Sequence, residues 1–190
     1  MHVASAVFVK AIVEEDEELE RDIPQIAFIG RSNVGKSSLI NALTRQKGLA
    51  KISSFPGRTA QIILFLINKS HFLVDLPGYG FAKASREKRE QYQKLIDWYL
   101  FESGYPQKKV VLIIDANVGV TDSDVTMLEN LERHGKDIVV VANKIDKIKK
   151  SVYDEQMKRI QEIVGKHKIV PLSTKTKVGV GTLINNIFTK

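Results

Sequence analysis

Gly30-Arg31-Ser32-Asn33-Val34-Gly35-Lys36-Ser37 has the residue types and spacing of a loop that holds phosphate. It fits G-x-x-x-x-G-K-[ST], between a short apolar run at 26–29 and the helical pattern Ser38-Leu39-Ile40-Asn41-Ala42-Leu43. In that strand–loop–helix setting the glycines let the chain wrap, so that successive backbone N–H groups and the helix N-terminus face phosphate oxygens. Lys36 then reaches the β- and γ-phosphates, and the Ser37 hydroxyl offers an oxygen to magnesium.

Such a loop implies a nucleotide without choosing the base. The choice comes from Asn143-Lys144-Ile145-Asp146, directly after the apolar run 138–142. A carboxylate at Asp146, expected to be buried, can accept from both the N1–H and the 2-amino group of guanine. Adenine has neither donor, so the carboxylate would lose its partners against ATP. Asn143 can tie this loop to the phosphate loop and face the base, while the Lys144 stem covers the ring.

Three more segments complete the set. Asp75-Leu76-Pro77-Gly78 ends the run 72–75, so that Asp75 can hold magnesium through water and the Gly78 N–H can meet the γ-phosphate. Pro56-Gly57-Arg58-Thr59, continuing into Ala60 and Gln61, closes a Gly/Ser/Pro-containing stretch at 46–58 that reads as a mobile loop. Its Thr59 can close on magnesium only when the third phosphate is present. Ser173-Thr174-Lys175, after the last apolar run, can set backbone N–H groups against the guanine oxygen.

The elements that must position these residues follow from periodicity. Strands are expected at 26–29, 62–67, 72–75, 110–115, 138–142 and 169–172, several of them β-branched blocks without polar alternation and so buried on both faces. Stripes at helical spacing lie between them: Tyr92, Leu95, Ile96, Tyr99 and Leu100; Val125, Leu128 and Leu131 after the cap Thr121; Tyr153, Met157, Ile160 and Val164; and Val180, Leu183, Ile184, Ile187 and Phe188. The alternation predicts an α/β fold, a doubly wound, mostly parallel six-stranded sheet with helices on both faces and the ligand at the carboxyl ends of the strands. Residues 1–23 are expected to be an extension with an edge strand near 7–13 and a solvated acidic loop, and 24–190 the nucleotide-binding domain.

Composition agrees. The 190 residues are 43% apolar and 27% charged, enough for one domain that buries roughly 70% of its unfolded surface without staples. There is no cysteine, which excludes disulfides, thiolate zinc, a thiol nucleophile and lipidation of a cysteine. The longest apolar run, 62–67, is far short of the roughly 18 residues of a membrane span. No secretory leader is expected either, and the expected location is cytoplasmic.

The combination GRSNVGKSSLINAL, PGRT, DLPGYGFAK, NKID and STK resembles the EngB family, also called YihA or YsxC, single-domain GTPases of the translation-factor-related class. The likeness runs from about Pro24 to the C-terminus. It implies GTP and magnesium binding, a role in assembly of the large ribosomal subunit, and a requirement for normal cell division and septation. The usual family guanine motif has Thr where this chain has Asn143, the commoner residue across GTPases generally. Lys36, Thr59 and Gly78 are the expected catalytic residues. Many small GTPases place a water-orienting Gln after D-x-x-G, but here stands Tyr79, whose phenol cannot reproduce that amide, so slow intrinsic turnover and help from a partner or a cation are expected. In related GTPases an Asn at the position of Asn33 helps bind potassium. Asn33 either does this or only shapes the loop.

Charge points to the partner. Residues 1–24 carry two basic and seven acidic side chains, whereas the rest carries 27 basic against 15 acidic. Nine Lys and Arg between Lys147 and Lys177 face only Asp154, Glu155 and Glu162, and Lys83, Arg86, Lys88 and Arg89 form a second cluster. A monomer docking on ribosomal RNA is the expected reading. The alternative is a GTP-dependent division regulator acting through a protein partner without RNA.

Overall fold

The computed structural model describes residues 2–50, 60–80 and 85–188. Seven strands form one sheet in the order β1-β3-β4-β2-β5-β6-β7. They are β1 (Ala6–Ile12), β2 (Gln25–Gly30), β3 (Ile62–Ile67), β4 (His71–Asp75), β5 (Gln107–Asp115), β6 (Ile138–Asn143) and β7 (Lys168–Pro171). The six expected strands are present, and the seventh is the edge strand of the N-terminal extension. β1 pairs antiparallel with β3, and β3 with β4, while the other four pairings are parallel.

Alternation within the central strands explains their uninterrupted apolar sequences. Ile26 and Phe28 of β2 pack on one face with Leu39, Ile40 and Leu43 of α2 (Lys36–Thr44) and Leu183, Ile184 and Ile187 of α6 (Val180–Phe188). Ala27 and Ile29 point the other way. There they meet Leu95 and Ile96 of α3 (Arg86–Asp97), Leu128 and Leu131 of α4 (Asp122–Arg133), and Ile160 and Val164 of α5 (Tyr153–Val164). Both faces are covered, as a parallel sheet requires.

The acidic stretch differs from expectation. It is not only a solvated loop: Glu17–Glu20 forms one helical turn, α1, whose Leu19 is buried in the core. The Asp16 side chain accepts from Glu18 N at 3.1 Å, and acidic residues in the first turn suit the positive end of the helix. The first part of the 46–58 stretch is also tied down, Gln46 Nε2 donating to Ala6 O at 2.8 Å and Ala50 N to Asn41 Oδ1 at 2.9 Å.

Candidate functional site

The carboxyl ends of β2, β4, β5 and β6 deliver Gly30, Asp75, Asp115 and Asn143 to one edge of the sheet. Parallel pairing fixes this convergence, since Phe28 lies beside Asp75 and Asp115 beside Asn143 in register.

The phosphate loop is shaped by what its glycines exclude. A Cβ at Gly30 would sit 2.5 Å from Ile113 O, and one at Gly35, where φ is +98°, would lie 2.5 Å from Asn143 Nδ2. Gly35 also begins α2 without a side-chain cap, and the first turn of α2 has no acidic residue. The other long helices with Asp or Glu in their first turns already carry their own anions there. The N-terminus of α2 leaves its positive end to an external one.

Lys36 Nζ is ion-paired with the buried carboxylate of Asp75, and Ser37 stands in the first turn of α2. Among the described residues there is no group of three or more His, Cys, Asp or Glu that could hold a metal. One carboxylate and one hydroxyl fit magnesium, which takes hard oxygen donors and commonly keeps several waters and substrate phosphates in its shell. Thr59, with Gly57 and Arg58, lies outside the described residues, as does Lys83. Ala60 is buried in the core, and Gln61 precedes β3.

After β4, Leu76 N donates to Phe28 O at 3.1 Å, which directs Pro77 and Gly78 toward the phosphate loop. There Tyr79 N donates to Gly30 O (3.3 Å) and Ser32 N to Tyr79 O (2.9 Å). A Cβ on Gly78 would come within 3.2 Å of Ser32 N and 3.3 Å of Gly30 O, so only glycine lets the two segments lie this close without displacement. The Tyr79 phenol is buried and donates to Asp124 Oδ1 at 2.7 Å. Burial, with the Asp124 carboxylate adding to it, pushes the phenol well above the ordinary tyrosine range.

At the base end, Asn143 is buried and its Nδ2 donates to Val34 O at 2.8 Å. Lys144, in a left-handed conformation, donates to Asn33 O and to Asp115 Oδ2, each at 2.6 Å, which stretches its stem across the loop. Ile145 N donates to Leu172 O at 3.2 Å, joining this loop to the one after β7. Asp146, expected to be buried, is exposed, and Ser173 Oγ donates to its Oδ1 at 2.5 Å. The Ser173 amide donates to Val178 O at 3.1 Å, so Ser173 serves this corner through its hydroxyl rather than its N–H. Thr174 N faces Asn143 Oδ1 at 3.4 Å, and Lys175 is exposed.

Residues 25–144 match the family described as 50S ribosome-binding GTPase, and residues 105–190 match the elongation factor Tu GTP-binding domain. The chain is 42% identical to the probable GTP-binding protein EngB of Clostridium perfringens, over 99% of this chain and 96% of that protein. This chain belongs to the EngB family. The EngB protein of Acholeplasma laidlawii is 40% identical over 99% of this chain and 98% of its own length. A crystal structure of a probable GTP-binding protein EngB superposes with a TM-score of 0.73 at 28% identity, covering 86% of this chain and 96% of that one. Era in complex with MgGDPNP and nucleotides 1506–1542 of 16S ribosomal RNA gives 0.64 at 26% identity, covering 87% of this chain and 55% of that one. The fold is that of a P-loop GTPase, and as an EngB protein the chain is a GTP hydrolase. The residues missed in the sequence are Arg31 as an anchor, Asp115 and Asp124. Asp124 carried a signal, since Thr121 three residues before it makes a capping-box spacing.

Proposed function

We propose that this EngB protein is a GTP-dependent switch that docks on the large ribosomal subunit or its assembly precursor in the cytoplasm, and that normal division and septation depend on this step. The observation that carries it is the run of exposed cations Lys147, Lys149, Lys150, Lys158, Arg159, Lys166, Lys168, Lys175 and Lys177. Only Lys158 and Arg159 pair with acids of their own helix, Glu162 and Glu155. The matching family's description as 50S ribosome-binding supports the large subunit, and the complex of Era with 16S ribosomal RNA supports ribosomal RNA as a partner for this fold without favouring that subunit.

In this reading the amides of 30–37 and Lys36 bind the phosphates, and Asp146, Lys144, Asn143 and the 173–175 loop hold guanine. Gly78 meets the third phosphate and Thr59 closes over it. Ser37, Thr59 and, through water, Asp75 would hold magnesium, which would supply positive charge to the phosphates. The Tyr79 hydroxyl is committed to Asp124, so it does not orient the attacking water. Turnover of the isolated protein is therefore slow, and a cation at Asn33 or a group from the partner supplies the missing charge. Asn33 suits that role in one respect: its side chain is exposed on the loop while Lys144 fixes its carbonyl.

Titrating large-subunit particles at several salt concentrations tests the docking surface. RNA contact through six or more of these cations lowers affinity by about a thousandfold between roughly 50 and 200 mM salt. Replacing Lys147, Lys149 and Lys150 with Gln should flatten that slope; a salt-independent affinity would instead favour an apolar protein interface.

A further inference from the structure

Asp124 is fully buried, although it stands in the first turn of α4, where the other acid, Asp122, is at the surface. Its two oxygens collect four donors from three parts of the chain. Oδ2 accepts from Thr121 N (3.0 Å), Thr121 Oγ1 (2.7 Å) and Arg31 Nε (3.2 Å), and Oδ1 accepts from the Tyr79 hydroxyl. The Thr121 contacts are an ordinary helix cap. The other two are not: Arg31 is the second residue of the phosphate loop, and Tyr79 directly follows Gly78. Arg31 and Tyr79 also lie side by side in a parallel bridge.

We infer that Asp124 is a positioning residue for the third-phosphate contact: through the Tyr79 hydroxyl and the Arg31 side chain it holds Tyr79, and with it the preceding Pro77–Gly78 peptide that carries the Gly78 N–H, against the phosphate loop. The inference rests on the reading of Gly78 as that contact. A diphosphate makes no use of the Gly78 N–H, whereas a triphosphate requires it within hydrogen-bond reach. Misplacing the peptide by a fraction of an ångström therefore weakens the triphosphate complex and leaves the diphosphate complex alone. The buried carboxylate converts the rigidity of α4 into discrimination between the two nucleotides.

Tyr79→Phe removes the hydroxyl and keeps the buried ring. Asp124→Asn keeps an oxygen for the Thr121 cap and removes the charge, so that the Tyr79 hydroxyl loses its bond to a carboxylate and meets a neutral amide instead. Both should lower the ratio of GTP-analogue to GDP affinity by about tenfold, the scale of one hydrogen bond to a charged group, with GDP affinity within about twofold of wild type. Thr121→Ala should lower the thermal midpoint and leave the ratio unchanged. Gly78→Ala, whose methyl presses on Ser32, should lower the ratio directly. If Gly78→Ala lowers the ratio while Tyr79→Phe and Asp124→Asn do not, Asp124 is only a helix cap and the inference is overturned. If Gly78→Ala also leaves the ratio unchanged, the reading of Gly78 has failed and the inference falls with it. Should Asp124→Asn not fold, Tyr79→Phe decides alone.

Discussion

Lys36 Nζ is ion-paired with the carboxylate of Asp75, a residue only 1% exposed. The cation that reaches for phosphate thus also neutralises the carboxylate proposed to hold magnesium. Lys36→Met removes the cationic partner from a buried carboxylate and should cost about 3 kcal/mol of folding stability as well as nucleotide affinity. Adding Asp75→Asn should restore most of the stability and none of the GTP binding. Urea unfolding and nucleotide titration of the single and double variants measure the two separately; a Lys36→Met protein as stable as wild type would show that the pair does not matter to the fold.

The base corner makes a second pair of expectations. Asp146→Asn should lose several kcal/mol of GTP affinity, on the order of 3, and gain preference for xanthine nucleotides, whose 2-oxo group accepts from the new amide. Ser173→Ala frees Asp146 Oδ1 from its 2.5 Å donor and should weaken GTP and GDP equally, by about 1 kcal/mol. Competition binding with the three nucleotides checks both. A Ser173→Ala protein that discriminates GTP from GDP differently would contradict the assignment of this residue to the base.

Much of this was legible in the residues. β-branched runs such as 138–142 could only be strands buried on both faces, and the stripes at 153–164 and 180–188 marked helices whose partners the sheet supplies. The four-residue α1 was hidden because one buried leucine among acids has no period. Asp115 with Lys144, and Asp124 with Tyr79 and Arg31, were hidden for another reason: each pairing spans 29 to 93 residues of chain and exists only once the strands are in register. The exposure of Asp146 was not legible because N-K-x-D spacing tells which atoms can face guanine and not how much solvent reaches them.

The buried Tyr79 phenol makes an alkaline signature. Its folded pKa is raised by burial and by the Asp124 carboxylate, whereas in the unfolded chain it ionises near about pH 10. The raised group contributes stability that is fully present below about pH 10 and lost as the pH rises, by up to about 1.4 kcal/mol per pH unit. Chemical unfolding from about pH 9 to about pH 11 should show a shallower decline for Tyr79→Phe than for wild type. Equal declines would contradict the buried placement.

Hydrolysis should depend on the monovalent cation. Single-turnover rates in potassium should exceed those in sodium at fixed ionic strength, with the difference removed by Asn33→Ala, and the effect should be largest with large-subunit particles present. Identical rates in both salts, with and without particles, would eliminate the cation and leave a group donated by the partner.

Cosedimentation with purified ribosomal subunits under a GTP analogue, GDP and no nucleotide tests the account at its centre. It predicts that the protein pellets with the large subunit under the GTP analogue and is released with GDP, and that Tyr79→Phe pellets less at the same analogue concentration. Equal pelleting in all three nucleotide states, or none with the large subunit in any of them, would contradict a GTP-dependent switch acting on that particle.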